Sequence, residues 1–169
     1  MTVLSIRGLK KRFRTTVAVD GIDLEVGKGE LLGLIGPNGA GKSTTVKILT
    51  GQMLADEGSI LVGGQDILSD PLAARKLTGY VPQDIELYPF LTGREVLELV
   101  AAIRRIPDES ARAMIDNLLA RFHLVPAQNR MTREYSEGMA RKLAICAALL
   151  GSPPLLVLDE SLNGLDPRA

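Results

Sequence analysis

The stretch GPNGAGKST, Gly36 to Thr44, has the residue types and spacing of a phosphate cradle. Gly39 and Gly41 let the backbone curl, so that successive amides of the loop, which runs through Gly36, Pro37, Asn38 and Ala40, point into one concavity around an anion, Pro37 itself having no N–H to give. The run from Ser43, STTVKILTGQM, predicts a helix, whose positive end adds to the attraction. Lys42 sets a point charge against terminal phosphates, and Ser43 offers a hydroxyl to a magnesium ion. Far downstream, LLVLDE carries two adjacent acids out of an apolar run. Asp159 suits a magnesium ion, reached through water, and Glu160 suits a general base that polarises an attacking water. The lesser reading of the two acids, taken alone, is that they cap a helix.

These groups need elements to hold them. VLSIRGL, TTVAVDGI and DLEV are short alternating runs that predict strands, and GSILVGGQDI predicts a hairpin turning at Gly63-Gly64. ELLGLI, from Glu30 to Ile35, is nearly continuous in apolar character, the pattern of a strand buried on both faces; LLVL reads the same way. STTVKILTGQM predicts the helix that follows the cradle. Between Thr92 and Leu124 the spacing turns helical, in TGREVLELVAAIRRI and DESARAMIDNLLARFHL. Each opens with a capping residue, Thr92 or Asp108, and Pro107 separates the two. A third helix runs from Ser136 to Leu150 and stops at Gly151-Ser152-Pro153-Pro154. The fold class is therefore α/β: a P-loop core with an antiparallel β subdomain and an inserted helical one. The boundaries fall at 1–87 and 152–169 for the core and 88–151 for the helical part.

Composition narrows the function. Twenty basic residues balance twenty acidic ones over 169 residues, so no net charge draws the chain to nucleic acid or anionic lipid. Aromatics make up only 4%, which disfavours a base-stacking platform. The single cysteine, Cys146, lies in an apolar run and reads as a small buried hydrophobe. No stretch approaches the roughly 20 apolar residues of a membrane span, and the start lacks the features of a signal peptide. The chain reads as cytoplasmic.

Cradle and acids are common to many nucleotide-binding proteins, and the segments between them separate the possibilities. YSEGMARKLAICAAL, from Tyr135, resembles the signature segment of ATP-binding cassette proteins, whose consensus is LSGGQ. VPQD, with Gln83, resembles that family's Q-loop, and NGLDP, with Asp166, resembles its D-loop. Phe13 aligns with the aromatic that stacks on adenine; plain strand packing is the other reading of that residue. The motifs stand in family order and span the whole chain, and YSEGM with LYPFLTGREVLEL is most similar to the ATPase subunits of drug-type or ABC-2-type exporters.

The resemblance implies ATP and Mg2+ as cofactors, with Lys42, Gln83 and Glu160 catalytic and with Ser43, Gln83 and Asp159 around the metal. It implies a head-to-tail dimer, in which Ser136 and Gly138 of one subunit face the γ-phosphate held by the other. It also implies transmembrane permease partners, no nucleic acid, and a place on the cytoplasmic face of a membrane. A soluble cassette ATPase without transport and a binding-only remnant are the alternatives. By itself Ser136 would be an ordinary helix cap, and Gln83 an exposed loop residue.

The chain departs from the family at two places. Ser161-Leu162 stands where Pro-Thr is usual, and Glu137 replaces a signature glycine, setting a negative side chain beside an anion site. A solvent-facing rotamer is the expected escape for Glu137. His123, the lone histidine, precedes the signature, so it is not the family's γ-phosphate histidine and is read as structural or exposed. The family pattern continues past the D-loop through another strand, which lies between the ELLGLI and LLVL strands. The resemblance is therefore to the front part of a cassette ATPase. The 169 residues by themselves are expected neither to fold stably nor to turn over ATP.

Overall fold

The computed structural model describes residues 1–159, so Glu160, Ser161, Leu162 and Asp166 lie outside the described residues. Two compact units form, Met1–Thr78 and Gly79–Ala169.

The first unit is built on a four-stranded antiparallel sheet in the order β2-β1-β3-β4. Its strands are β1 (Thr2–Phe13), β2 (Thr16–Gly27), β3 (Glu57–Val62) and β4 (Gln65–Asp66). In β1, Leu4 and Ile6 alternate into the core, as period-2 patterning requires. The register then slips between Ile6 and Leu9, around Gly8 at φ 54°, and the inward phase passes to Leu9. Gly58 lies against this bulge, where a Cβ would stand 2.6 Å from the Arg7 carbonyl oxygen. The β3–β4 hairpin turns at Gly63 and Gly64, both at positive φ, as the sequence predicts. Helix α1 (Lys42–Leu49) packs against β2, burying Val46, Ile48 and Leu49, and α2 (Pro71–Leu77) closes the unit.

The expected doubly buried strand at Glu30–Ile35 is not formed. Residues 30–36 have no strand geometry, and Leu31 and Ile35 are 94% and 96% exposed. No strand among the described residues runs beside the segment, so its backbone groups have no ladder to join. An apolar run states what a segment needs; burial depends on neighbours that supply it.

In the second unit, β5 (Thr78–Val81) pairs with β6 (Leu155–Leu158). LLVL is buried on one face only: Leu155 and Val157 turn inward, while Leu156 is exposed. Helices α3 (Gly93–Ile103), α4 (Asp108–Arg121) and α5 (Glu137–Leu149) enclose a common core of Leu97, Ile115, Leu119, Leu143, Cys146 and others. The Cys146 thiol is buried there, and desolvation pushes it up to about 12, so it behaves as the predicted hydrophobe.

Helix α3 starts as its sequence predicts. The Thr92 side chain accepts from the Glu95 amide, and the Glu95 carboxylate accepts from the Thr92 amide at 2.7 Å, a complete capping box. Asp108 differs from its expected role: it is the first helical residue of α4, after Pro107, and its side chain makes no cap bond. Proline fixes the entry to the helix and shifts the boundary by one residue. His123 sits just past α4, exposed at φ 58°. Its amide and that of Leu124 bond back to Ala120 and Leu119, closing the helix in a Schellman turn. That is the structural role expected of it.

Candidate functional site

Three sets of predicted residues are assembled by this scaffold. The first is the loop before α1. Gly39 and Gly41 adopt φ 84° and 85°, the left-handed region that favours glycine. At Gly41 space decides as well, since a Cβ would lie 2.3 Å from the Ala18 carbonyl oxygen of β2. The loop thus bears directly on the β1–β2 hairpin. Pro37 accepts from the Ala40 amide at 3.2 Å, tightening the curl. Gly36, Pro37, Asn38, Gly39 and Ala40 are exposed, Ser43 is exposed, and Gly41, Lys42 and Thr44 are half-buried.

Helix α1 starts without a side-chain cap and without an acid in its first turn, so nothing of its own competes for its free amides. Thr45 instead turns back to the Gly41 carbonyl, at 2.9 Å. Lys42 Nζ donates to the carbonyls of Gly36 (2.7 Å) and Pro37 (2.9 Å), arching over the loop. An arriving phosphate offers this ammonium a charged acceptor in place of two neutral ones, a stronger bond. Glycines that only glycine can replace, a helix end with no internal anion and a lysine over both fit the terminal phosphates of a nucleotide.

Phe13 ends β1 in the same unit. It pairs with Thr16 and is 43% exposed, with Lys11 Nζ 5.7 Å from its ring centre. Lys11 is anchored by Asp56, which accepts from its Nζ and from the Arg12 amide, each at 2.7 Å. Those two bonds, the lysine's first, hold the Asp56 carboxyl below its ordinary range. The hairpin therefore presents a partly exposed aromatic ring with a lysine over it.

The second set lies at one end of the β5–β6 pair. Asp159 follows β6, with its amide donating to the Val81 carbonyl at 3.0 Å. Gln83 lies two residues beyond Val81 in an exposed turn, so the predicted metal-directed acid and the Q-loop glutamine leave the sheet together. Tyr80 donates its hydroxyl to Asp159 Oδ2 at 3.4 Å, orienting the carboxylate. Sequence reasoning missed this tyrosine; the two residues are far apart in the chain, and no local pattern links them.

The third set is the start of α5. Ser136 is its N-cap, exposed, and its Oγ accepts from the Met139 amide at 3.3 Å. A Cβ at Gly138 would meet nothing within 4 Å, so the space beside this turn is open. Tyr135, just before the cap, is wedged against α3: a Cβ at Gly93 would fall 2.0 Å from its hydroxyl oxygen. That hydroxyl donates to the Ala127 carbonyl at 2.9 Å, and burial pushes its pKa up. Gly93 was also missed, since its glycine requirement comes from a side chain 42 positions away. Lys42 and Ser43 belong to the first unit, while Gln83, Asp159 and Ser136 belong to the second. Among the described residues no cluster of three or more His, Cys, Asp or Glu forms a metal cage. No helix among them is long and apolar enough to cross a membrane.

Comparison with known proteins shows the family. Residues 19–163 match the family described as ABC transporter. The chain is 40% identical over 167 residues to daunorubicin resistance ATP-binding protein DrrA3 of Streptomyces coeruleorubidus, covering 99% of this chain and 53% of that protein. It is 43% identical over 171 residues to human phospholipid-transporting ATPase ABCA3, covering 99% of this chain and 10% of that protein. The chain thus spans about half the length of the bacterial relative. A solved ATP-binding subunit of an ABC transporter superposes with a TM-score of 0.89 at 33% identity, covering 98% of this chain and 69% of the other.

Proposed function

The chain belongs to the ABC transporter family, and from that premise we propose that it is the ATP-binding and ATP-hydrolysing part of an exporter. The single observation that carries this reading is the loop before α1, an uncapped, acid-free helix start under a lysine already poised over its carbonyls. The ATP-binding core is assigned to 1–87 and 152–169, and the helical, signature-bearing part to 88–151.

Each residue then has a task. The amides from Gly36 to Thr44 enclose the phosphates, Lys42 neutralises their terminal charge, and Phe13 stacks on the adenine. Ser43, Asp159 through water, and Gln83 would hold Mg2+, which when bound offsets charge on the phosphate oxygens. The Tyr80 hydroxyl fits such a role, because it fixes the Asp159 carboxylate at the sheet end. Glu160, next in sequence, accepts a proton from the attacking water. Ser136 and Gly138 face the γ-phosphate of a second copy, with Asp166 alongside, so that ATP binding draws two copies together head to tail. Partner permease subunits, on the cytoplasmic face of a membrane, convert this association into movement. The DrrA3 relative, by name a drug-resistance ATP-binding protein, supports export as the direction.

The test is Glu160→Gln in the intact protein. It should still bind ATP, lose at least about a hundredfold in phosphate release, in line with losing a general base, and accumulate as a dimer with ATP and magnesium. A variant that stayed monomeric and hydrolysed normally would contradict the assignment.

A further inference from the structure

The first helical residue of α5 is an acid, Glu137, placed where the proposed function requires an anion from outside. A carboxylate at this position is drawn to the free amides of its own helix and would compete for them. The structure holds it elsewhere. Glu137 Oε1 accepts from Arg141 Nη2 at 3.2 Å, one turn further along. The two side chains sit in very different surroundings, Glu137 being 85% exposed and Arg141 only 10%. Side chains on a helix lean toward its N-terminus, which brings the guanidinium back over the first turn.

Arg141 has little else to hold. Its Nε and Nη1 are buried without a hydrogen-bond partner among the described residues. Among the described residues, Glu137 is the carboxylate paired with this guanidinium. Meanwhile Ser136 Oγ occupies the Met139 amide, and the space beside Gly138 stays open.

We propose that Arg141 is a positioning residue: it draws the Glu137 carboxylate onto the flank of α5 and keeps the turn at Ser136–Gly138 clear for a phosphate of ATP held by a second copy of the chain. The role rests on the proposed function, in which that turn is an anion site. It explains how the chain carries a glutamate at this place and still presents an anion-ready turn. Arg141 touches no phosphate itself, because its unpartnered nitrogens are buried.

The experiment measures ATP-driven association of the intact protein by sedimentation, with magnesium and with ATP saturating the loop, for Arg141→Met, Glu137→Gln and the double variant. Arg141→Met frees the carboxylate and should weaken association about tenfold, the order of one charge contact. Adding Glu137→Gln removes the competitor and should restore association to within about twofold of the unaltered protein, as a coupled pair requires. A double variant as impaired as Arg141→Met, with melting showing both folded, overturns the proposal. If Arg141→Met does not fold, Glu137→Gln decides alone. It keeps an acceptor for the guanidinium and should leave association within about twofold of the unaltered protein, because Arg141 already holds the carboxylate off the turn. Association strengthened about tenfold or more at low salt, and lost as screening grows, would show that the carboxylate occupies the turn despite Arg141 and overturns the proposal. Unaltered protein that binds ATP without associating overturns both this role and the function it rests on.

Discussion

In the proposed function helices α1 and α5 each present an N-terminus to an anion, and they are built by opposite means. At α1 the helix start carries no cap and no acid; its neighbours are glycines and a lysine. The loop before it is exposed, and its polar groups turn on one another. At α5 a serine caps the first turn, an acid follows it, and a buried arginine restrains that acid. Behind α5 stands a closed apolar core shared with α3 and α4. The difference is one of source. The α1 site takes its shape from backbone freedom, so the sequence around it must exclude side chains. The α5 site takes its shape from packing, so it tolerates a departure such as Glu137 as long as another residue compensates.

Gly41→Ala should break the first half of this contrast with the largest effect. The left-handed φ and the Ala18 carbonyl 2.3 Å from the new Cβ together cost about 3 kcal/mol. Denaturant unfolding should show the loss, and ATP affinity should fall with it. An alanine that binds ATP normally would mean that side chains are not excluded there.

Gly93→Ala probes the packed half. Its Cβ would collide with Tyr135, displacing the hydroxyl from Ala127 and loosening the turn that leads into Ser136. A loss of about 2 kcal/mol is expected, from overpacking and one hydrogen bond. Unfolding of the variant compared with Tyr135→Phe, which gives up the hydrogen bond without a collision, separates the two terms.

The smallest effect sharpens the comparison at a third helix start. Thr92 amide and side-chain bonds hold Glu95 below the ordinary glutamate value of 4.5. A carboxyl depressed by folding contributes stability above that value and loses it as pH falls through the lower folded one. In urea titrations across this range, the unaltered protein should therefore lose more stability than Glu95→Gln. Parallel curves for the two would show that the capping box is electrostatically idle.

Local features were the legible ones. Gly39, Gly41 and Lys42 lie within four positions, and their roles follow from backbone geometry and charge. The Thr92 cap and the Gly63-Gly64 turn follow from short-range rules as well. ELLGLI was misread because continuous apolar character reports a need for neighbours without naming them, and among the described residues none lies alongside. Tyr80 on Asp159 and Tyr135 on Gly93 join distant parts of the chain, which no periodicity encodes. The Glu137–Arg141 pair was within reach. Its i, i+4 spacing at a helix start is a recognised pattern, but burial of the arginine, which gives the pair its meaning, appears only in the folded chain.

In the proposed function the loop before α1 holds the phosphates of ATP, and Lys42 supplies much of the attraction. Calorimetric titration of the intact protein with ATP and magnesium, beside Lys42→Ala, tests it most directly. Losing a charge-assisted bond of up to about 3 kcal/mol should weaken binding as much as a hundredfold in the variant, while its thermal unfolding stays close to that of the unaltered protein. Equal ATP affinity in the two, with both folded, would mean that Lys42 does not hold the phosphates.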